Sequence, residues 1–393
     1  MYSSKSKLAV PLALLTAVGM LSSDLYLPAL PAMAREIGAG VVQAQATMAV
    51  YLLALAVSQL GWGWAADRFG DRITILAGIW LLIGGSLLCA LAPNVEIMLL
   101  GRLLQGLGSG AATVAVPALI RRRFSESEAV GALSIVATLE SVVPAAGPVL
   151  GVALLKVASW RVSFVLIALA AFVLLFFASR IVGAGGNQSA PGADAIHGAG
   201  FSGAFLRHCA AYACMFGALL MFVASAPHLV THWFGESINA FAVLQVCGVL
   251  AFMLGARRAS RVAGIVGVEV LVRRGTLWLG AAAAVMVACA AVDLRSIATV
   301  TLAWAMFCYG LGVRGPSSMS RALSLVAGAH GKAAGVLMFS AFAATALATM
   351  AVAPFLHLGL WPVALLLAVL VGASAALVPE LMVRARARGA QLG

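Results

Sequence analysis

Charged residues are scarce in this chain of 393 residues. Asp, Glu, Lys and Arg together make up 10% of it, whereas hydrophobic residues make up 63%. Soluble globular domains contain about 25% charged and about 45–50% apolar residues. A soluble fold is therefore excluded, and so is intrinsic disorder, which requires low hydrophobicity. With lipid as the solvent, only helices and closed barrels satisfy every backbone polar group.

Short stretches that alternate polar and apolar side chains, the signature of a membrane barrel, are missing. The apolar runs are instead long and continuous, and a helical span needs about 20 such residues. The sequence therefore predicts an all-α membrane protein with twelve transmembrane helices. The predicted spans are 8–30, 43–66, 73–92, 96–118, 129–155, 162–180, 208–230, 239–257, 275–292, 296–316, 332–353 and 358–379.

One long polar stretch, rich in Gly, Ser and Pro, separates the first six predicted spans from the last six. Such a composition is typical of a flexible linker. We predict an N-terminal six-helix lobe over 1–180, a cytoplasmic linker over 181–207 and a C-terminal six-helix lobe over 208–393. A division into two sets of six spans is typical of many secondary transporters.

Acidic residues are about half as common as basic ones, 13 against 25. Nucleic-acid binding does not explain this excess, because no basic stripe is interleaved with aromatic residues. With the N-terminus in the cytoplasm, nineteen basic residues fall in cytoplasmic segments and four in outer ones. The positive-inside rule then predicts that both termini are cytoplasmic.

Residues that bind metals are few and poorly spaced for the purpose. The six cysteines lie in apolar stretches and are expected to behave as small buried hydrophobes. His228, His232 and Glu236 share one helical face at the end of span 7, which a metal site or an amphipathic membrane interface would both explain. No metal and no cofactor is predicted. An enzyme would need convergent His, Asp or Ser residues in the spans, and catalysis is not predicted either.

Ionisable side chains inside the predicted spans are functional candidates, because lipid tolerates charge poorly. Two are acids, Asp24 in span 1 and Glu140 in span 5, and Arg102 lies in span 4. Span 1 runs outward and span 4 inward, so Asp24 and Arg102 are expected at similar depth, in the outer half of the bilayer. Static ion pairs or helix-packing hydrogen bonds are the alternative explanation. Arg314, near the cytoplasmic end of span 10, is expected to snorkel to the interface.

Five short motifs occupy these same spans. Residues 24–31 read DLYLPALP, residues 63–72 read GWAADRFGDR, residues 102–108 read RLLQGLG, residues 147–151 read GPVLG and residues 225–227 read SAP. They resemble motifs of the major facilitator superfamily, namely its loop motif G-x-L-a-D-R-x-G-R-K and the antiporter motifs R-x-x-Q-G-x-G and G-P-x-x-G. Residues 24–31 and 225–227 are similar to D-x-Y-L-P-A-L-P and S-x-P of the drug:proton antiporters of the bicyclomycin and chloramphenicol resistance (Bcr/CflA) type.

The resemblance implies the major facilitator fold and a role for each motif. It implies that Asp24 titrates the coupling proton and that Arg102 is linked to proton transfer. Glu140 is no hallmark of these antiporters, and it stays a candidate for proton coupling because it is an acid inside a predicted span. Asp71 replaces the basic residue usual in the loop motif. The implied conformational residues, among which Asp67 and Arg68 form a charge relay and Gly63 and Gly70 allow close approach, are Gly63, Asp67, Arg68, Gly70, Arg72, Gly147, Pro148 and Gly151.

The resulting hypothesis is a proton-coupled exporter of small molecules, most plainly drugs or antibiotics, that works by alternating access. We expect it to act as a monomer in the bacterial inner membrane, with small-molecule cargo, protons and lipid as its partners. The alternative is an exporter of an endogenous metabolite such as a siderophore. Aromatic and methionine side chains give the adaptable apolar walls that promiscuous binders use. The candidates for such a wall are Tyr26, Tyr51, Tyr212, Phe222, Trp304, Met338 and Phe339.

Overall fold

A computed structural model describes residues 6–181, 201–326 and 330–378, and the regular structure in these ranges is helical. The twelve described α-helices are α1 (Ser6–Asp24), α2 (Leu30–Glu36), α3 (Val41–Leu91), α4 (Val95–Arg123), α5 (Glu126–Leu155), α6 (Arg161–Ile181), α7 (Gly203–His228), α8 (Ile238–Val266), α9 (Val268–Ala291), α10 (Ile297–Ser324), α11 (His330–Val352) and α12 (Leu360–Ala376). Eleven described helical segments are long and apolar enough to cross a membrane, and α12 is a shorter apolar helix of 17 residues. The predicted all-α membrane protein is confirmed.

Helices and predicted spans correspond with two differences in the first half of the chain. The first span contains α1, a 3-10 turn at Leu27–Ala29 and α2, and together they form the segment Val10–Glu36. The second and third spans are the two halves of α3. They meet at Gly70, whose φ of 86° and ψ of 159° interrupt the helical geometry, so the connection is a single-residue kink rather than the predicted loop.

The same backbone conformation recurs in the second half of the chain. Gly267, with φ 82° and ψ 161°, separates α8 from α9, as Gly70 separates the halves of α3. A side chain at such a positive φ is strained, and glycine adopts it freely. The recurrence indicates that the second and third spans of each half are joined in the same way.

Several helix starts are fixed by polar side chains that satisfy free backbone N–H groups. The Asn94 side chain accepts a hydrogen bond from the backbone N–H of Ile97 at the start of α4. Ser202 caps α7 and Ser296 caps α10 in the same manner. These caps help to fix where α4, α7 and α10 begin.

The chain divides into two compact units, Met1–His197 and Gly198–Gly393. Of the predicted linker over 181–207, residues 182–200 lie outside the described residues. In the first unit, α3 packs against α4 and α6, and α1 packs against α5. In the second unit, α10 packs against α8 and α9, while α7 packs against α11 and α12.

Candidate functional site

Asp24 is the last residue of α1, at the point where the first span is interrupted. Pro28 lies in the 3-10 turn that follows and Pro31 in the first turn of α2. Proline lacks a backbone donor and breaks the regular ladder, which accounts for the interruption. The Asp24 side chain is partly exposed, and Oδ1 accepts a hydrogen bond from Ser23 Oγ at 3.1 Å. The carboxylate thus sits at an irregular, partly accessible point of a membrane helix.

The two glycines of the G-P-x-x-G motif in α5 lie directly against this interruption. A Cβ placed on Gly147 would come within 2.6 Å of the Asp24 Cβ. A Cβ on Gly151 would contact the carbonyl oxygen of Leu25 and lie 2.6 Å from Pro28 Cγ. Absence of side chains at these two positions therefore lets α5 approach the segment that carries the acid, as small residues do at helix contacts in membranes.

Arg102 in α4 is completely buried, and its guanidinium donates to neutral acceptors. Nη1 donates to Gln105 Oε1 at 2.9 Å and to the Ser22 carbonyl at 3.2 Å. Nε donates to the Thr47 carbonyl at 3.3 Å, and Nη2 lies 3.3 Å from Met48 Sδ. Carbonyl, amide and thioether groups therefore surround the charge, and they form part of what we call the Arg102 cage.

Two tyrosine rings complete the Arg102 cage. The guanidinium carbon lies 4.2 Å from the ring centre of Tyr51 and 4.9 Å from that of Tyr26, within the range of cation–π attraction. The Tyr51 hydroxyl donates to the Gly19 carbonyl at 2.8 Å, and the Tyr26 hydroxyl shares a hydrogen bond of 3.0 Å with Thr47 Oγ1. Both rings are 1% exposed, so the structure places them around Arg102 inside the first unit rather than on an accessible wall.

No ion pair joins Asp24 to Arg102 among the residues that the structure describes. Arg102 instead reaches the carbonyl of Ser22, two residues before Asp24. The structure thus brings the two candidates to the same region without direct contact. Asp24 can gain or lose a proton without breaking a salt bridge.

Glu140 lies on the same α1–α5 contact, further toward the beginning of α1. Glu140 is partly buried beside Thr16 of α1, whose hydroxyl donates to the Ala13 carbonyl at 2.9 Å. Thr16 and Asp24 are eight residues apart on α1, which corresponds to about 12 Å along a helix. The two acids predicted inside the spans therefore belong to one described helix pair, α1 and α5, which the sequence did not reveal.

In the loop motif between the halves of α3, some of the expected features are present and others are not. Gly70 provides the kink described above, but a Cβ on Gly63 would have no described atom within 4 Å, so the close approach expected at Gly63 is absent. Arg68 lies 5.7 Å from the ring centre of Trp64 in its own helix, and Arg72 is exposed. The side chain of Asp67 lies outside the described residues, and the charge relay stays a prediction.

The aromatic candidates of the second unit fall into two groups. Phe222 and Trp304 are each 1% exposed and stack on one another with ring centres 4.3 Å apart. Tyr212, Met338 and Phe339 are partly exposed, and Tyr212 stacks on Phe216 with 5.9 Å between ring centres. The first pair forms part of the interior of this unit, while a role of the other three as a cargo wall stays a prediction.

The expectation for Arg314 was wrong. The side chain is 1% exposed and does not snorkel to the interface, because its Nη2 donates to Ser374 Oγ at 2.7 Å and to the Ser374 carbonyl at 3.1 Å. Ser374 Oγ in turn donates to the Ala211 carbonyl. Arg314 therefore joins α10 to α12 and α7 within the second unit. Its Nε and Nη1 donate to no described residue.

Several polar residues around the Arg102 cage were not predicted from the sequence. Ser22 Oγ and Ser109 Oγ both contact the Tyr51 hydroxyl at 3.2 Å, and Ser86 Oγ accepts from the Gln105 amide at 2.8 Å. Their only signal is a small hydroxyl in an apolar span. His228 and His232, by contrast, were noticed for their spacing, and their rings stack 4.4 Å apart where α7 continues into a π-helical turn at Leu229–Trp233.

Comparison with known proteins shows that this chain is similar to transporters. The family model described as Major Facilitator Superfamily matches residues 12–349. A multidrug resistance protein MdtL from Shigella dysenteriae is 27% identical over 323 residues, 80% of each chain. A chloramphenicol resistance protein from Pseudomonas aeruginosa is 29% identical over 262 residues, which cover 64% of this chain and 60% of that protein. The uncharacterized MFS-type transporter YdgK from Bacillus subtilis is 27% identical over 292 residues, 71% of this chain and 72% of that protein.

Solved structures show the same fold at low sequence identity. A POT family transporter in complex with a thioalcohol-conjugated peptide has a TM-score of 0.76 and 14% identity, over 95% of this chain and 96% of that one. A D-xylose–proton symporter has a TM-score of 0.73 and 13% identity, over 95% and 98%. These similarities confirm the predicted fold class, and the family match extends across both compact units.

Proposed function

The chain belongs to the Major Facilitator Superfamily, a family of membrane transporters, and from this premise we propose that it exports drug-like small molecules in exchange for protons. The observation that carries the proposal is the placement of Asp24, a partly exposed residue at an interrupted membrane helix, in the same region as the buried Arg102 cage. The relatives named for multidrug and chloramphenicol resistance support the cargo class.

Asp24 is the proposed site of proton exchange. Membrane-embedded acids often serve in the proton relays of transporters, and Asp24 has a neutral hydrogen-bond donor, Ser23, rather than a cationic partner. It nevertheless lies near Arg102, which donates to the carbonyl of Ser22 two residues earlier. Protonation would therefore change the electrostatic balance around α1 and α4 without the need to break an ion pair first.

Arg102 supplies the fixed charge in this scheme. Buried ions are stable only when other groups replace their hydration, and the Arg102 cage does so with neutral acceptors and tyrosine rings. The positive charge stays in place while the Asp24 charge appears and disappears. We propose that gain or loss of the Asp24 charge near this fixed charge shifts the first unit between two conformations. Alternating access would depend on this shift.

Glu140 is proposed as a second acid on the same route. Its proximity to Thr16 supports a position on the α1–α5 contact, roughly two turns of helix from Asp24. It could receive a proton that leaves Asp24 toward the beginning of α1. The order of the two sites along the contact, and the partial burial of both, support this role.

The proton gradient is sufficient to drive such export. Moving one elementary charge across 100 mV is equivalent to about 2.3 kcal/mol, which corresponds to roughly a 50-fold concentration ratio of a neutral cargo. One proton per transport cycle would therefore maintain a useful gradient of a drug. Coupling requires that cargo binding and proton binding depend on each other during the conformational cycle, since otherwise protons would leak without transport of cargo.

We further propose a location in the bacterial inner membrane with both termini in the cytoplasm. The bacterial relatives support the first point, and the nineteen-to-four distribution of basic residues supports the second. Cysteine accessibility labelling in intact cells, at Cys introduced for Ser3 and for Asp293, tests the orientation. Labelling of the residue-3 cysteine by an impermeant reagent would contradict it.

The test of function is transport into everted membrane vesicles energised with a proton gradient. We expect chloramphenicol and related drugs to accumulate, and their addition to release protons from the vesicle interior. D24N should abolish both signals while the protein still inserts, and E96Q, an exposed acid at the start of α4, is the matched control that should behave as the parent. Drug accumulation by D24N at the parental rate would refute Asp24 coupling. Transport of siderophores but no drug would replace the cargo assignment.

A further inference from the structure

A cleft of about 250 Å³ lies among α8, α9 and α10 of the second unit. Glycines bring α10 close to both neighbours, because a Cβ on Gly255 of α8 would meet the Tyr309 carbonyl, and one on Gly310 would lie 2.7 Å from Trp278 Cβ. Beside these contacts the cleft has an apolar floor that includes Ala259 and Leu271. The floor alone would suit any apolar group.

The rim of the cleft is cationic. Arg258 of α8 and Arg274 of α9 line it from opposite helices, and both are exposed. Neither arginine makes a hydrogen bond or an ion pair with a residue that the structure describes. Two guanidinium groups thus line one small cleft, and none of its described lining residues is acidic. An anion is therefore the chemically matching occupant.

Aromatic residues mark the same cleft as a membrane-interface site. Trp278 and Tyr309 line it with ring centres 5.2 Å apart at 74°, and tryptophan and tyrosine are enriched where lipid headgroups lie. Large apolar side chains on α8 and α9 are strongly exposed, including Leu254 at 61% and Leu277 at 63%. An occupant with a charged head and long apolar tails would match both surfaces.

We propose that this cleft binds the headgroup of an anionic phospholipid, with the phosphate between Arg258 and Arg274 and the acyl chains along the exposed apolar faces of α8 and α9. The cleft of about 250 Å³ is slightly smaller than clefts that enclose drug-sized ligands, which measure about 300–1,000 Å³. This volume supports a headgroup whose acyl chains lie outside the cleft. Basic pockets between membrane helices recognise anionic headgroups. The proposal does not depend on proton coupling, because lipid binding is measured without transport.

The test is native mass spectrometry of the full-length protein, delipidated in detergent and titrated with phosphatidylglycerol or phosphatidylcholine. We expect preferential binding of phosphatidylglycerol. R258Q/R274Q should weaken that binding about 25-fold, from roughly fivefold for each basic side chain near an anionic lipid. The adjacent pair R257Q/R273Q removes the same charge outside the cleft lining and should change binding less than about twofold.

Three results would overturn the proposal. Equal weakening by both double variants would mean that diffuse surface charge, not the cleft, holds the lipid. Displacement of phosphatidylglycerol by millimolar inorganic phosphate would mean that the site takes a free anion rather than a headgroup. V262F fills the cleft without changing charge, so it tests the site even if R258Q/R274Q does not fold, and unchanged lipid binding in V262F would also contradict the proposed location.

Discussion

Gly147 of α5 lies so close to Asp24 of α1 that the Cβ of any other residue at position 147 would come within 2.6 Å of the Asp24 Cβ. The G-P-x-x-G motif at residues 147–151 is therefore not only a feature of helix packing. It sets the position of the backbone that carries the proposed proton site. Any change at Gly147 must move either the acid or α5.

The first prediction concerns this contact. Replacing Gly147 with leucine should push α5 away from α1, with an overpacking penalty of about 1–3 kcal/mol, and should abolish proton-coupled transport. The measurement is drug-induced proton release in everted vesicles, normalised to the amount of inserted protein. G131L is the control, because a Cβ at Gly131 of the same helix meets no described atom within 4 Å. Parental turnover in G147L would show that the contact is irrelevant to coupling.

The general architecture could be predicted from the sequence because its signals are local and strong. Long apolar runs separated by charged turns allow few alternatives in lipid, and the spans around Asp24 and Arg102 were identified in this way. The kink at Gly70 was less predictable. A loop and a single residue at positive φ use the same Gly-Asp sequence, and local composition does not distinguish them.

The partners of each charge were beyond the reach of the sequence. Depth arguments placed Asp24 near Arg102, but the choice of neutral acceptors such as the Thr47 carbonyl depends on helix rotation and on side-chain packing. Arg314 shows the same limit. Its depth suggested snorkelling, whereas the hydroxyl of Ser374, sixty residues later, provides an acceptor inside the unit.

The second prediction concerns the Arg102 cage. Gln105 accepts from Arg102 Nη1 and donates to Ser86 Oγ, and it is completely buried. Q105L would leave a buried cationic donor without this acceptor, and the free energy of unfolding should fall by about 1–3 kcal/mol or more. Thermal unfolding in detergent measures the effect as a lower Tm.

The matched control for the cage is another glutamine that joins α3 to α4. Gln59 donates to Thr113 Oγ1 at 3.1 Å but is only partly buried and contacts no described charge. Q59L should therefore lower the Tm less than Q105L. Equal Tm values for the two variants would indicate that Gln105 is an ordinary packing residue and that Arg102 does not depend on it.

The third prediction concerns the kink in α3. At φ 86° and ψ 159°, the Gly70 backbone occupies a region that is almost restricted to glycine, and a side chain there has an energetic penalty of about 1–3 kcal/mol. G70A should lower the Tm. G63A, in a helical part of α3 with open space around it, should raise stability by about 0.5–1 kcal/mol. A G70A protein as stable as the parent would mean that the kink is not required.

The last prediction concerns Arg314, whose Nε and Nη1 donate to no described residue although the side chain is 1% exposed. A buried charge with few partners is stabilising only if its interactions exceed its desolvation penalty, which is several kcal/mol for one ion. R314M should therefore raise the Tm, while the exposed R257M should leave it nearly unchanged. S374A should be less harmful in R314M than in the parent, because the bond from Arg314 Nη2 to Ser374 Oγ is then already gone. A large fall in Tm for R314M would show instead that the charge has a compensating partner, and that α7, α10 and α12 depend on it for their packing.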